Sequence, residues 1–258
     1  MLAWIQRGLA KGRITTRYPH SAELPPAGYH GPIAVLDSER ADPALQRLCP
    51  TGAIRVDGRG GLSLDRGRCI QCGECVRAAP ARFAFAQRYE TAARTRASLV
   101  VGDVDRGNER PARRALAEQA RALGRSIHVR HVDTGSDGAE EWEIQALWNP
   151  HYDIQRLGFF LTAAPRHADV LLVTGGVTDP MRAPLQRTWA VMPEPKALVA
   201  VGTDACSGGL AAENGLIAGG VDAVLPVDVY VPGSPPAPIA LLHGLLLAVG
   251  LLREEALA

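Results

Sequence analysis

Cys69-Ile-Gln-Cys72-Gly-Glu-Cys75 is a C-x₂-C-x₂-C run, and upstream of it stands Cys49-Pro50-Thr-Gly-Ala-Ile54. Thiolates are soft ligands that favour iron–sulfur cores, and closely spaced cysteines on a tight loop can wrap one face of a cubane. A Cys₄ zinc site also uses paired cysteines. A three-cysteine run completed by a distant Cys-Pro is the less usual pattern for zinc, so the spacing favours iron and sulfide. Cys49, Cys69, Cys72 and Cys75 are therefore the expected ligands of one [4Fe–4S] cluster.

The rest of the composition agrees with such a site. There are five cysteines in all, four of them between positions 49 and 75. An odd, clustered set suits a metal site in a reducing compartment rather than a secreted disulfide scaffold. At 258 residues and 47% hydrophobic content the chain can form one large or two modest globular domains. A net charge of +1 gives no reason to expect nucleic acid as a partner. No secretory signal is visible near Met1, and Pro238 to Leu252 is too short to span a bilayer.

Outward from the cysteines, four segments are expected. Residues 1–34 comprise a Trp-bearing amphipathic helix over 1–12 and an irregular arm rich in Pro, Gly and Tyr. The helix could lie on a membrane surface or dock on a partner. Residues 35–95 hold the cysteine domain. Residues 96–126 are a connector with a helix from Arg110 to Leu123. Residues 127–258 alternate strands and helices: strands at Ile127–Val132, Val170–Thr174, Leu198–Gly202 and Ala223–Pro226, and helices at Met181–Met192 and Pro236–Leu252. Val170-Leu-Leu-Val-Thr174 and Leu198-Val-Ala-Val-Gly202 are the continuous apolar runs of strands buried on both faces. The fold class is thus an N-terminal ferredoxin-like α+β domain followed by a flavodoxin-like, parallel-sheet α/β domain. Ligands on such sheets sit beyond the carboxyl ends of the strands.

From Pro50 to Cys75 the chain resembles the bacterial two-cluster ferredoxins, in which the fourth cysteine of each motif ligates the other cluster. On that pattern a second cluster would need cysteine at 39, 42, 45 and 79. Glu39, Asp42, Leu45 and Ala79 stand there instead. All four losses fall on one cluster and none on the other.

From Ile127 to Leu252 the chain resembles the small subunit of group 4, energy-converting [NiFe] hydrogenases of the hydrogenase-4 and formate hydrogenlyase type, a family similar to the complex I subunit that carries its last cluster. Arg130-His-Val-Asp-Thr-Gly-Ser136, Asn149-Pro-His-Tyr-Asp153, Pro165-Arg-His-Ala-Asp169 and Pro226-Val-Asp-Val-Tyr-Val-Pro-Gly233 carry the likeness. The whole looks like a fusion of that subunit with its ferredoxin-type neighbour. In the family this domain holds a proximal [4Fe–4S] cluster on four cysteines. The resemblance maps those positions onto Asp137, Glu140, Cys206 and Ser234, so three of four thiolates are gone. Hard oxygen donors replace sulfur poorly on an iron–sulfide core, and no proximal cluster is expected. The vacated pocket could take another cation or be filled by hydrogen bonds and water; Asp137, Glu140 and Glu141 suit a solvated helix start, which favours the second.

The resemblance implies an iron–sulfur subunit of a membrane-associated, hydrogenase-related or complex I-like oxidoreductase complex. It would be peripheral, on the cytoplasmic side of the cell membrane, between a hydrogenase-like large subunit and membrane-arm subunits. It would transfer single electrons rather than catalyse. The alternatives are a structural or assembly subunit that has lost the hydrogenase relay, and a normal hydrogenase subunit with unusual ligands. His131, His151 and His167 lack metal-ligand spacing and are expected to be hydrogen-bonded structural residues.

Overall fold

The structure is a computed structural model that describes residues 3–102, 118 and 126–252. The first part comprises α1 (Ala3–Lys11), β1 (Ile33–Val35), β2 (Ile54–Val56), β3 (Leu62–Asp65), α2 (Glu74–Ala78), β4 (Phe83–Phe85) and β5 (Val100–Gly102). Strand β1 pairs antiparallel with β4, and β3 pairs antiparallel with β2 on one side and β5 on the other. Alternation places Leu62 and Leu64 of β3 inward, where they meet Ile33, Ile54, Phe83 and Val101. This is the ferredoxin-like α+β unit. The chain after residue 95 makes a 3₁₀ turn, Ala97–Leu99, and then β5, which completes the three-stranded sheet. Of the helix expected from Arg110 to Leu123 only Glu118, which is helical, lies within the described residues.

The second part comprises β6 (Ile127–Asp133), α3 (Ala139–Ala146), β7 (Phe159–Leu161), β8 (Val170–Thr174), α4 (Asp179–Val191), β9 (Ala197–Val201), α5 (Gly202–Ser207), β10 (Val229–Val231) and α6 (Pro238–Ala248). Its sheet is wholly parallel in the order β10-β9-β8-β6-β7. Strands β8 and β9 are buried at every residue, because both faces of the sheet are covered. Val170, Leu172, Val199 and Val201 face a core that includes all of α6 from Ile239 to Leu242. Leu171, Val173, Leu198 and Ala200 face the opposite core, which is continuous with the interior of the ferredoxin-like unit. One apolar core therefore joins the two units.

The last strand differs from expectation. Val221–Ala223 forms a 3₁₀ turn, and the amides of Val224 and Leu225 both bond back to the Val221 carbonyl. The apolar residues at 223–226 are thus spent in a turn, and the strand forms at Val229–Val231. Its outer edge is covered by Ala93, which exchanges two backbone hydrogen bonds with Tyr230 at 2.9 and 2.8 Å. That pairing blunts an otherwise open sheet edge.

The arm after α1 lies on the second unit. The Thr16 amide donates to the His151 carbonyl at 2.8 Å, and Arg156 Nη2 donates to the Tyr18 carbonyl at 2.6 Å. Helix α1 itself leaves Trp4 and Leu9 mostly exposed. Among the described residues no helix is long and apolar enough to cross a membrane.

Candidate metal centre

The cysteine loop is shaped by backbone geometry that few residues tolerate. Gln71 has φ +56° and Gly73 has φ +75°, both in the left-handed region. A Cβ at Gly73 would lie 2.8 Å from the Phe85 ring, so glycine is required on two counts. The turn folds Cys69 and Cys75 inward and leaves Cys72 exposed. Cys49 arrives from the end of the Pro43–Leu48 3₁₀ turn. The four cysteines line one cavity with Ile33, Leu48, Ile54 and Leu64, and it is partly open to solvent.

Amides point at the sulfurs. Ala53 N donates to Cys49 Sγ at 3.2 Å and Gln71 N to Cys69 Sγ at 3.4 Å, while Thr51 Oγ1 lies 3.4 Å from Cys49 Sγ. Such donors favour thiolate and tune a metal–sulfur group. Against them, burial pushes the Cys69 thiol up to about 12, and the neighbouring cysteines add to the rise. Burial likewise raises Cys75. Thiols so placed ionise when a cation shares the cavity. Among the described residues no three His, Cys, Asp or Glu side chains converge closely enough to hold a single metal ion. Four cysteines lining one cavity, with amides directed at two of the sulfurs, are a soft donor set that suits an iron–sulfur group.

The positions that a second ferredoxin cluster would use are spent otherwise. Asp42 caps the 3₁₀ turn, its Oδ1 accepting from Ala44 N at 2.7 Å. Leu45 and Ala79 pack on the core, and the Glu39 carbonyl accepts from Arg82.

At the carboxyl ends of β6 and β9 a different group assembles. Asp137 precedes α3 and Glu140 stands in its first turn. Glu140 is 3% exposed, so the expected solvated helix start is corrected: the carboxyl is driven inward against Gly202, where any side chain would collide with it. Burial raises Glu140 to about 7, and Asp204, Asp137 and Glu141 push it the same way. Asp204 is raised by burial and by Asp137. Ser136 Oγ bridges the two glutamates, 2.7 Å from Glu141 Oε2 and 3.4 Å from Glu140 Oε2. Glu141 also accepts from Thr174, whose Oγ1 lies 2.9 Å from His131 Nε2. Burial holds His131 below its ordinary value. His151 is hydrogen-bonded to the Ile14 carbonyl and Glu23.

Cys206 does not join this acidic group. Residues 202–207 are helical, so positions two apart point to opposite sides. Asp204 faces Asp137 and Glu140, whereas Cys206 faces Arg96, Asp65 and Asp222 and is 1% exposed. Burial pushes its thiol up to about 12. Ser234 is exposed in the loop after β10. Of the four mapped positions, Asp137 and Glu140 come together; Asp204, two residues from the mapped Cys206, completes the group that sequence reading had assigned otherwise.

Two further side chains escaped the sequence reading. Arg96 forms a bidentate pair with Asp65 at 3.0 and 2.6 Å and lies over the Tyr230 ring at 5.9 Å, so it ties the ferredoxin-like unit to β10. Tyr230 donates to Asp222 Oδ2 at 3.2 Å. Thr203 joins the cysteine loop to α5.

Comparison with known proteins places the second unit. The probable membrane-bound hydrogenase subunit mbhJ of Pyrococcus furiosus is 40% identical over 134 residues, which are 52% of this chain and 80% of that protein. Residues 138–248 match the family described as NADH ubiquinone oxidoreductase, 20 Kd subunit. The chain belongs to this family. Formate hydrogenlyase subunit 7 of Escherichia coli K12 is 42% identical over 139 residues, 54% of either chain, so the match spans about half of that relative. A solved chain of the membrane-bound sulfane sulfur reductase, an archaeal respiratory membrane complex, aligns with 52% of this chain and 75% of its own at 27% identity and TM-score 0.46. The family match begins at Gly138, inside the acidic group, and runs through α6. The 20 Kd family member thus carries Glu140 and Asp204 within its matched segment and the cysteine loop ahead of it.

Proposed function

We propose that this 20 Kd family member is an electron-transfer subunit of a membrane-associated, hydrogenase-related oxidoreductase complex, holding a single [4Fe–4S] cluster on Cys49, Cys69, Cys72 and Cys75. One observation carries the reading: four cysteines from two separate segments line one cavity, with amides directed at two of the sulfurs. A bound cluster supplies reversible one-electron transfer. The chain's own residues position the thiolates, desolvate them and leave Cys72 as the exposed edge through which a partner can approach.

The pocket at Asp137, Glu140 and Asp204 holds no cluster in this reading, because carboxylates are hard donors and Cys206 is turned away from them. The subunit sits peripherally on the cytoplasmic side, against a hydrogenase-like large subunit and membrane-arm subunits, with α1 and its exposed Trp4 and Leu9 available for the membrane surface. A second reading is favoured by the same lack of sulfur donors in the pocket: the chain then carries no onward relay, and the cluster mainly fastens the small unit in a complex that has lost hydrogenase chemistry.

Anaerobic purification, iron and sulfide analysis, and electron paramagnetic resonance test these. One cubane's worth of iron and sulfide per chain, with a single reducible signal, supports electron transfer. A cluster that cannot be cycled supports the structural reading. Two cubanes' worth, or none, refutes both.

A further inference from the structure

Thr203 is fully buried in the first turn of α5. Its hydroxyl lies 3.0 Å from the carbonyl of Cys69 and 3.1 Å from that of Gly233. Its amide donates to the same Gly233 carbonyl at 2.7 Å. The residue is thus fixed by its backbone to the loop after β10, and its single hydroxyl proton is shared toward the ligand loop across 134 residues of sequence. Cys69 starts the C-x₂-C-x₂-C loop, whose next residues pass through the left-handed conformation at Gln71 and Gly73. A loop with two such residues has few local means of holding its register, and a buried carbonyl at its start needs a donor. Thr203 supplies that donor from the other unit.

We propose that Thr203 is a positioning residue for the cysteine loop: it holds the Cys69 carbonyl, and with it the Cys69 and Cys72 sulfurs, in the register that receives the cluster. The inference rests on the single-cluster reading above. It adds that the α/β unit completes the cluster site and that ligand-loop order depends on α5. Gly233 keeps the Thr203 amide as a partner when the hydroxyl is removed, so the carbonyl that loses most is that of Cys69.

The test uses the full chain, purified anaerobically as wild type, Thr203→Val, Thr203→Ala and Thr203→Ser. Three properties are read: the rate of iron loss to a chelator, the cluster's midpoint potential, and the line shape of its paramagnetic signal. The valine and alanine variants, folded by circular dichroism, are expected to lose iron about tenfold faster, the effect of one buried hydrogen bond, with an altered line shape and potential. The serine variant restores wild-type behaviour, because it keeps the hydroxyl. A loaded wild type with valine and alanine variants indistinguishable from it overturns this inference while leaving the cluster reading intact. A wild type that binds no cluster overturns both. If neither hydroxyl-free variant folds, Thr203 serves the whole interface rather than the loop, and the inference is overturned on that ground.

Discussion

Replacing Glu140 with Gln tests how the acidic group beside α5 is held. The carboxyl is buried against Gly202 and faces Asp204 of α5, Asp137 of the preceding loop and Glu141 of its own helix, and it is raised from 4.5 to about 7. Well below pH 4.5 the carboxyl is protonated in folded and unfolded chains alike and has no pH-dependent effect. Between pH 4.5 and 7 only the unfolded chain releases the proton, so stability falls as pH rises, and above 7 the penalty is complete. At 1.36 kcal/mol per pH unit the rise corresponds to at most about 3 kcal/mol. Glutamine keeps the shape and can still accept from Ser136, but it does not titrate. The difference in stability between E140Q and wild type should therefore be small at pH 4.5 and grow in favour of the variant to at most about 3 kcal/mol by pH 8. For a chain of this size that is roughly 6–12 °C in Tm as an upper bound. The assay is thermal unfolding of both proteins at matched scan rate from pH 4.5 to 8. Contributions from groups that do not face Glu140 are common to both and cancel in the difference, whereas Asp137, Glu141 and Asp204 lose a repulsion in the variant and act in the same direction. A difference that does not change with pH, or one that grows in favour of wild type, refutes the reasoning.

Removing single thiols should separate the two sites: Cys75→Ala should cut bound iron sharply, whereas Cys206→Ala should leave it unchanged, as measured by iron per chain. Gly73→Ala combines a left-handed backbone with a contact on Phe85; it should cost about 1–2 kcal/mol or more in the loop and lower both Tm and iron retention. Asp65→Asn breaks the bidentate pair with Arg96, whose side chain is about a quarter exposed; discounted for that exposure, the loss should be about 1–3 kcal/mol, read as a lower Tm.

Much of this architecture is legible in the chain. Val170–Thr174 and Leu198–Gly202 read as buried parallel strands because both faces of the sheet are covered and no polar residue interrupts them. The cysteines are legible because thiolate spacing is a local property. The last strand is not: Ala223–Pro226 and Val229–Val231 are both short and apolar, and only pairing with β9 decides between them. The acidic group was half legible. Its two members at the start of α3, Asp137 and Glu140, lie close in sequence, but the third depends on a helix that begins immediately after β9. Once residues 202–207 wind, Asp204 and Cys206 part, and the loop that seemed to offer a cysteine offers a carboxyl. Thr203 carried no local signal at all, since its partner is the distant Cys69.

The two sites together constrain where an electron could go. A cluster on the four cysteines has Cys69 and Cys75 facing the protein and Cys72 facing solvent. On the Cys69 side Thr203 leads to α5, which carries Asp204 and packs at Gly202 against Glu140 of α3; the acidic group there offers oxygen donors, and one of them holds its proton up to about 7. Carboxyls do not relay single electrons as iron–sulfide cores do. On the single-cluster proposal the productive opening is then at Cys72, and a redox partner would meet the ferredoxin-like unit directly rather than through the α/β sheet. The pairing of Arg96 with Asp65, of Ala93 with Tyr230 and of Thr203 with Cys69 would in that case serve to hold the exposed edge at a fixed angle to the family domain. That domain is the part with hydrogenase-complex relatives, so on the single-cluster proposal it would dock the carrier, and the distance from Cys72 to the docked partner would set the transfer rate.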